Sequence, residues 1–188
     1  MTATIYIARH GQTDWNRECR LQGELDSSLT NEGILQSQKL AEAMRNNTLD
    51  IIISSPLGRA VSTANICSDI LDVPLCINQN IKERNLGNWQ GKLLSEVKRE
   101  PLYSELLQQI TTKSMPNGES AVDCGSRLMT ELLKMSKQHS NILLICHGEI
   151  LRCLVGLVGQ SENGNAFELH PNCGVLTVTS DSKQLQIL

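Results

Sequence analysis

Arg9-His10-Gly11 follows directly on the apolar run Thr4–Ala8, and a second His-Gly pair, His147-Gly148, follows Asn141-Ile142-Leu143-Leu144-Ile145-Cys146. A neutral imidazole is a competent nucleophile toward phosphorus, and the phosphoramidate it forms is reactive enough to be hydrolysed. Phosphoryl transfer otherwise requires in-line positioning and cations around the equatorial oxygens. Arg9 supplies planar, bidentate donors of that kind beside His10. Gly11 permits close backbone approach, and Asn16 can donate an amide hydrogen bond. In Ser54-Ser55-Pro56-Leu57-Gly58-Arg59-Ala60, a helix start and Arg59 follow another apolar strand, which suits an anion and makes Arg59 a second phosphate clamp. Glu83 opens Glu83-Arg84-Asn85-Leu86-Gly87-Asn88-Trp89-Gln90-Gly91. One carboxylate with a raised pKa can protonate a leaving alkoxide and then act as base for water. A solvated acid and a packing tryptophan are the other reading of this loop. Local sequence leaves both readings of the loop open, whereas the two strand-end histidines decide for a site at Arg9-His10-Gly11.

These residues have to be delivered by elements that end near one another. Strand-like segments fall at Thr4–Ala8, Asp50–Ser54, Leu75–Ile77, Ile142–Cys146 and Val175–Thr179, with a further one at Gln184–Leu188. The first, second and fourth are continuous apolar runs, as expected where both faces of a sheet are covered. The turn-like Ser180-Asp181-Ser182-Lys183 predicts an antiparallel edge pair from the last two. Helical patterns fill the gaps. Thr30 predicts an N-cap for a helix running to about Arg45, with Ile34, Leu40, Ala41 and Met44 near one face. Ser55 is expected to cap the next, with Pro56 in its first turn and Ala60, Ala64, Cys67 and Leu71 at helical spacing. Ser120 caps a third, striped by Leu128, Leu132 and Met135, and Gly148 opens a fourth through Leu151, Leu154 and Val155. The stretch from Leu93 to Lys113 is polar and reads as weakly patterned helix. Strands alternating with helices imply a three-layer α/β/α fold with a mostly parallel sheet, as one domain over 1–188. Ligands in such sheets bind beyond the carboxyl ends of the strands, where both His-Gly pairs lie.

Composition narrows the partners. A chain of 188 residues with 40% apolar and 20% charged residues is an ordinary globular composition. Its net charge of −3 gives no support to binding nucleic acid or an anionic membrane. The longest apolar run, Ile142 to Cys146, is far too short to span a bilayer. The N-terminus leads straight into a strand without the signature of a secretory signal, so the expected location is cytoplasmic. The seven cysteines form no C-x-x-C pair and no zinc-like spacing with histidine. Most of them read as small buried hydrophobes kept reduced.

The motifs together resemble the histidine phosphatase superfamily, in its phosphoglycerate-mutase-like branch. The resemblance covers nearly the whole chain, in the family's motif order. It implies that His10 becomes phosphorylated, that Asn16 contacts phosphate, and that Gln22-Gly23 forms the following glycine turn. It likewise implies Arg59 as the second phosphate arginine, Glu83 as acid and base, and His147-Gly148 as the second histidine motif. The implied fold is a three-layer α/β/α sandwich with one antiparallel strand near the C-terminus. Within the family the chain is similar to the compact phosphatases. Pro116-Asn117-Gly118-Glu119-Ser120 with Asp123 resembles their substrate-side loop, including that of enzymes acting on α-ribazole phosphate. Two residues depart from their pattern: Gln90 replaces a glutamate, and Glu149 stands where glycine is frequent. An extra carboxylate there is expected to disfavour multiply anionic substrates. Mutases of the family carry a basic and aromatic insertion, whereas Lys92 to Lys113 contains Lys98 and Arg99 but no Trp-Arg-Arg cluster.

The leading expectation is therefore a metal-independent phosphomonoesterase without cofactor, acting on a small phosphorylated metabolite, with α-ribazole phosphate a candidate. A phosphoglycerate mutase using the same phosphohistidine is the alternative. A phosphate-binding module without turnover is a third reading. Neither nucleic acid nor membrane is an expected partner, and a homodimer is one assembly left open.

Overall fold

Residues of alternate parity on each central strand face opposite layers, and this sorts the core into two halves. In the computed structural model, which describes residues 2–159, 169–181 and 184–188, β1 (Ala3–Arg9) and β4 (Asn141–Cys146) lie side by side and parallel. Ile5, Ile7, Ile142 and Leu144 face α5 (Ala121–Met135) and α6 (Gly148–Leu157), where Leu128, Leu132, Leu151 and Leu154 meet them. Ala8, Leu143 and Ile145 face α2 (Asn31–Met44) and α3 (Gly58–Leu71), against Leu40, Ala41, Ala60 and Ala64. Helices thus cover both faces of one sheet.

The strand order is β3-β2-β4-β1-β5-β6, with β2 at Ile51–Ser54, β3 at Leu75–Ile77, β5 at Val175–Ser180 and β6 at Leu185–Ile187. β1 to β4 are mutually parallel along the order, whereas β5 is antiparallel to both β1 and β6. One strand therefore runs against the rest, as the resemblance implied. Of the expected turn between β5 and β6, Ser182 and Lys183 lie outside the described residues. A third apolar cluster holds Leu21, Leu86, Trp89, Tyr103, Leu106 and Met115. It packs the long connection between β3 and α5, which includes the short α4 (Leu94–Val97).

Three sequence expectations need correcting. The helix after β2 is not capped by Ser55. Its N-cap is Leu57, without a side-chain cap, and Pro56 precedes the helix. The Ser55 hydroxyl instead accepts the Leu57 N–H at 3.3 Å and reaches His147. The Leu93–Lys113 stretch is not one helix. It contains only the single turn α4 and a wide turn at Ser104–Gln108, because apolar residues fold inward as the third cluster without helical period. On α2, Ile34 is exposed and Gly33 and Ser37 are buried.

The reason is close approach. A Cβ on Gly33 would overlap the carbonyl of Gln12, and one on Gly11 would overlap that of Gly33. The start of α2 thus lies backbone-to-backbone on the loop that carries His10, with Thr30 capping Gly33 N–H at 3.0 Å. Alanine's better helix propensity, about 1 kcal/mol, does not compensate for overlap with backbone. Gly33→Ala is expected to destabilise the fold by about 2 kcal/mol, since overpacking in a rigid contact costs about 1–3 kcal/mol. Urea denaturation measures this, and an unchanged midpoint would show that α2 can recede.

Candidate active site

His10 and His147 arrive on neighbouring strands. Their rings come within 5.3 Å of each other, centroid to centroid. Strand register accounts for the meeting: Arg9 pairs with Cys146, and the His10 N–H donates to the Cys146 carbonyl at 3.0 Å. Both rings are buried.

The protonation state of His10 follows from its partners. Nδ1 lies 2.8 Å from the Gly11 carbonyl, which only accepts, so Nδ1 carries the proton. Nε2 is then the lone-pair nitrogen, and it accepts from Arg59 Nε at 3.2 Å. Burial, followed by the charges of Arg59 and Arg9, pushes His10 well below the usual imidazole range. Burial with Arg59 and His10 does the same to His147. Two neutral imidazoles face two arginines. His147 Nε2 shares a 2.7 Å hydrogen bond with Ser55 Oγ.

The cations are fixed by the chain around them. Arg59 donates through Nη1 to the Leu25 carbonyl at 2.7 Å and to Asp26 at 3.0 Å, and through Nη2 to the Gly23 carbonyl at 2.8 Å. Arg9 donates to the His170 carbonyl at 2.7 Å. Burial lowers Arg9 to about 10, which leaves it a cation at neutral pH. Asn16 is oriented by two donors to its Oδ1, Thr13 N–H at 3.1 Å and Asn172 Nδ2 at 3.1 Å. Its NH2 is thereby left for the cleft. Asn172 also donates to the His10 carbonyl at 2.9 Å.

Glu83 sits at the N-terminus of α6. Its Oε1 accepts from Ile150 N–H at 2.8 Å and Arg84 N–H at 2.9 Å, and its Oε2 from Glu149 N–H at 3.1 Å. Burial first and Glu149 second push its carboxyl above the ordinary 4.5, against Arg59 and the backbone donors. Oε2 accepts one backbone donor and Oε1 two, so Oε2 is the oxygen with room for a proton. That suits a residue which holds a proton and later gives it up.

Arg9, His10, Asn16, Arg59, Glu83 and Gly148 line one narrow cleft of about 30 Å³, together with Leu21, Gln22, Gly23, Leu86 and Glu149. Every residue expected at the site from sequence lines it except His147, whose ring is tilted against that of His10 and has no exposed surface. Gln22 forms wall rather than donor here. Its amide donates to Thr13 Oγ1 at 2.8 Å and its oxygen accepts from Ser27 at 3.3 Å. Gly23 adopts φ +57°, and a Cβ there would overlap Gln90. Gln90 Oε1 accepts the Glu24 N–H at 2.7 Å. An acceptor oxygen is all this contact requires, so glutamine in place of glutamate preserves it. A wider cavity of about 510 Å³, bordered by Glu24, Lys82, Asn85, Glu119 and Arg127, contains neither histidine. Chemistry, not volume, locates the site.

Sequence reasoning missed Ser55 as the partner of His147, Asn172 as the support of Asn16, and Asp26 as the partner of Arg59. No local pattern marks Asp26 or Asn172. Ser55 could have been found from its place at the end of β2, beside β4.

A neutral imidazole beside two arginines, with a buried carboxyl lining the same cleft, stands at the edge of a doubly covered sheet. The chain belongs to the histidine phosphatase superfamily (branch 1), whose family model it matches over residues 5–188. It is 32% identical over 179 residues to the “Probable phosphoglycerate mutase GpmB” of Yersinia pestis (strain Pestoides F), covering 93% of this chain and 83% of that one. It is 28% identical over 184 residues to the “Putative phosphoserine phosphatase 2” of Hydrogenobacter thermophilus, covering 96% of this chain and 91% of that one. Among solved structures, the mycobacterial glucosyl-3-phosphoglycerate phosphatase in complex with VO3 superposes with a TM-score of 0.82 at 26% identity, over 99% of this chain and 97% of that one.

Proposed function

We propose that this protein is a metal-independent phosphomonoesterase that hydrolyses a small phosphorylated metabolite through phospho-His10. The observation that carries the reading is the geometry at His10. Its Nε2 carries the lone pair and accepts from Arg59 Nε at 3.2 Å, an N–H that an incoming phosphoryl oxygen can take over, and His10, Arg59 and Glu83 line the same cleft. In the first step Nε2 attacks phosphorus and the ester P–O bond breaks. Arg9, Arg59 and Asn16 stabilise the phosphoryl oxygens, His147 supports His10 from the neighbouring strand, and Glu83 gives its proton to the departing alkoxide. In the second step the Glu83 carboxylate takes a proton from water, whose oxygen attacks phosphorus. The P–N bond breaks, phosphate leaves, and Glu83 is again protonated. Transfer to the wrong acceptor is controlled by what else fits the cleft.

The test is phosphate release across sugar phosphates, phosphoglycerates, nucleotides, phosphoamino acids and α-ribazole phosphate. Hydrolysis is expected to persist in EDTA, because Arg9 and Arg59 line the cleft and can supply the positive charge that a metal otherwise would. Loss of activity in chelator, restored by one divalent ion, would overturn the metal-independent mechanism. A second reading, phosphoglycerate mutase, has the name of the Yersinia relative in its favour. Conversion of 3- to 2-phosphoglycerate that outpaces phosphate release, and that depends on a bisphosphate primer, would establish it instead.

A further inference from the structure

Glu149 lines the catalytic cleft, yet the mechanism above gives it no step. Its backbone N–H donates to Glu83 Oε2 at 3.1 Å, and its carboxylate is near enough to act on the charges of both Glu83 and Arg9. The carboxylate is buried and clamped. Oε1 accepts from Arg152 Nε at 3.2 Å, Oε2 from Arg152 Nη2 at 3.1 Å, and Oε2 is also 3.5 Å from Arg84 Nη1. Both arginines are at most 1% exposed and neither lines the cleft. Arg84 is further held by the carbonyls of Leu106 and Glu119. Arg84 Nη2 and Arg152 Nη1 are buried without a hydrogen-bond partner among the described residues. Glu149 therefore stands between two buried guanidinium groups and the part of the cleft that the alcohol portion of a substrate enters. Leu21 and Leu86 line the same cleft.

We propose that Glu149 is a specificity-determining residue that masks Arg84 and Arg152 and restricts the cleft to phosphomonoesters whose alcohol part carries no carboxylate. This rests on the phosphomonoesterase reading and narrows it to a substrate class. A carboxylate on the leaving group meets the Glu149 carboxylate in a dry, low-dielectric site, where like charges repel strongly. With Glu149 neutral, the same position faces two uncompensated guanidinium groups, the side chains best matched to a carboxylate. The residue thus sets the sign of the field that the leaving group meets.

Two matched substrate pairs test this, because each differs by one carboxylate: 3-phosphoglycerate against glycerol 3-phosphate, and phosphoserine against phosphoethanolamine. Preference is read as kcat/KM, or as competitive inhibition of p-nitrophenyl phosphate hydrolysis where turnover is slow. The wild-type protein is expected to favour the carboxylate-free member of each pair at least tenfold. Glu149→Gln is expected to move both ratios at least tenfold toward the carboxylate-bearing member. Glu149→Gln combined with Arg152→Gln is expected to move them back and, by removing a buried charge, to fold where the single variant does not. A wild type that favours the carboxylates overturns the inference, whether or not any variant folds. Ratios unmoved in a folded Glu149→Gln protein do so as well. Absence of turnover of all four esters and of p-nitrophenyl phosphate would overturn the phosphomonoesterase reading and this inference with it.

Discussion

His10→Ala loses turnover by roughly four orders of magnitude or more, the scale on which removal of a catalytic nucleophile acts. It is also expected to lose the covalent label: wild-type protein quenched in alkali should carry base-stable, acid-labile phosphate, and the variant none. The size of the effect follows from the tautomer. Nδ1–H is committed to the Gly11 carbonyl, so Nε2 is held as a lone pair in the cleft, and no other imidazole is aimed there. His147 cannot substitute, since it is fully buried and engaged with Ser55. The fold should be little affected, because the backbone bond from His10 to Cys146 remains. A folded His10→Ala protein that retains the wild-type rate would mean that the nucleophile is another group or water.

Glu83→Gln gives the second large effect, about 10²–10⁴-fold for alkyl phosphates, the range of general acid–base catalysis. Its diagnostic is unequal slowing. An alkoxide leaves poorly without a proton, whereas an acidic phenol needs one less. The burst of His10 phosphorylation should therefore slow strongly with alkyl esters and less with p-nitrophenyl phosphate. The burst must be measured, because Glu83 also serves as base in the second step. The pH dependence has a definite sign. Burial raises the Glu83 carboxyl above 4.5, and the first step needs the protonated form. With alkyl esters, kcat/KM should therefore fall as pH rises through that raised value, and this limb should be absent in Glu83→Gln. Equal slowing of the burst with both leaving groups would remove Glu83 from the acid role.

Much of this site could be read in the sequence because strand-end residues announce themselves. Continuous apolar runs such as Ile142–Cys146 require two covered faces, and the polar residue that breaks each run must emerge at the sheet edge. His10, Arg59 and His147 were found that way, and the family's motif order added Glu83. The supports were not readable, because they are pairings between segments with no common pattern. Asn172 reaches Asn16 from the far end of the chain. Asp26 reaches Arg59 across a loop. Glu149 was noted as an extra negative charge near the pocket, but its neutralisation by Arg152 and Arg84 depends on how α6 packs against the loop after Glu83. The helix expected over Leu93–Lys113 failed for a related reason. Tertiary burial of Tyr103, Leu106 and Leu107 overrode a weak local preference.

The pairing of β1 with β4 joins residues from opposite ends of the chain, Thr4 with Asn141 through Arg9 with Cys146. Such long-range parallel pairing closes a large loop before any contact rewards it, and so belongs late in folding. Helices and the local turns can form while the two imidazoles are still far apart. No fragment lacking β1 or β4 can assemble the pair, and a one-residue slip would turn the slipped strand's end away from the cleft. Recovered activity after dilution from denaturant would then time the last zippering of the sheet, while helical circular dichroism would report events that precede it.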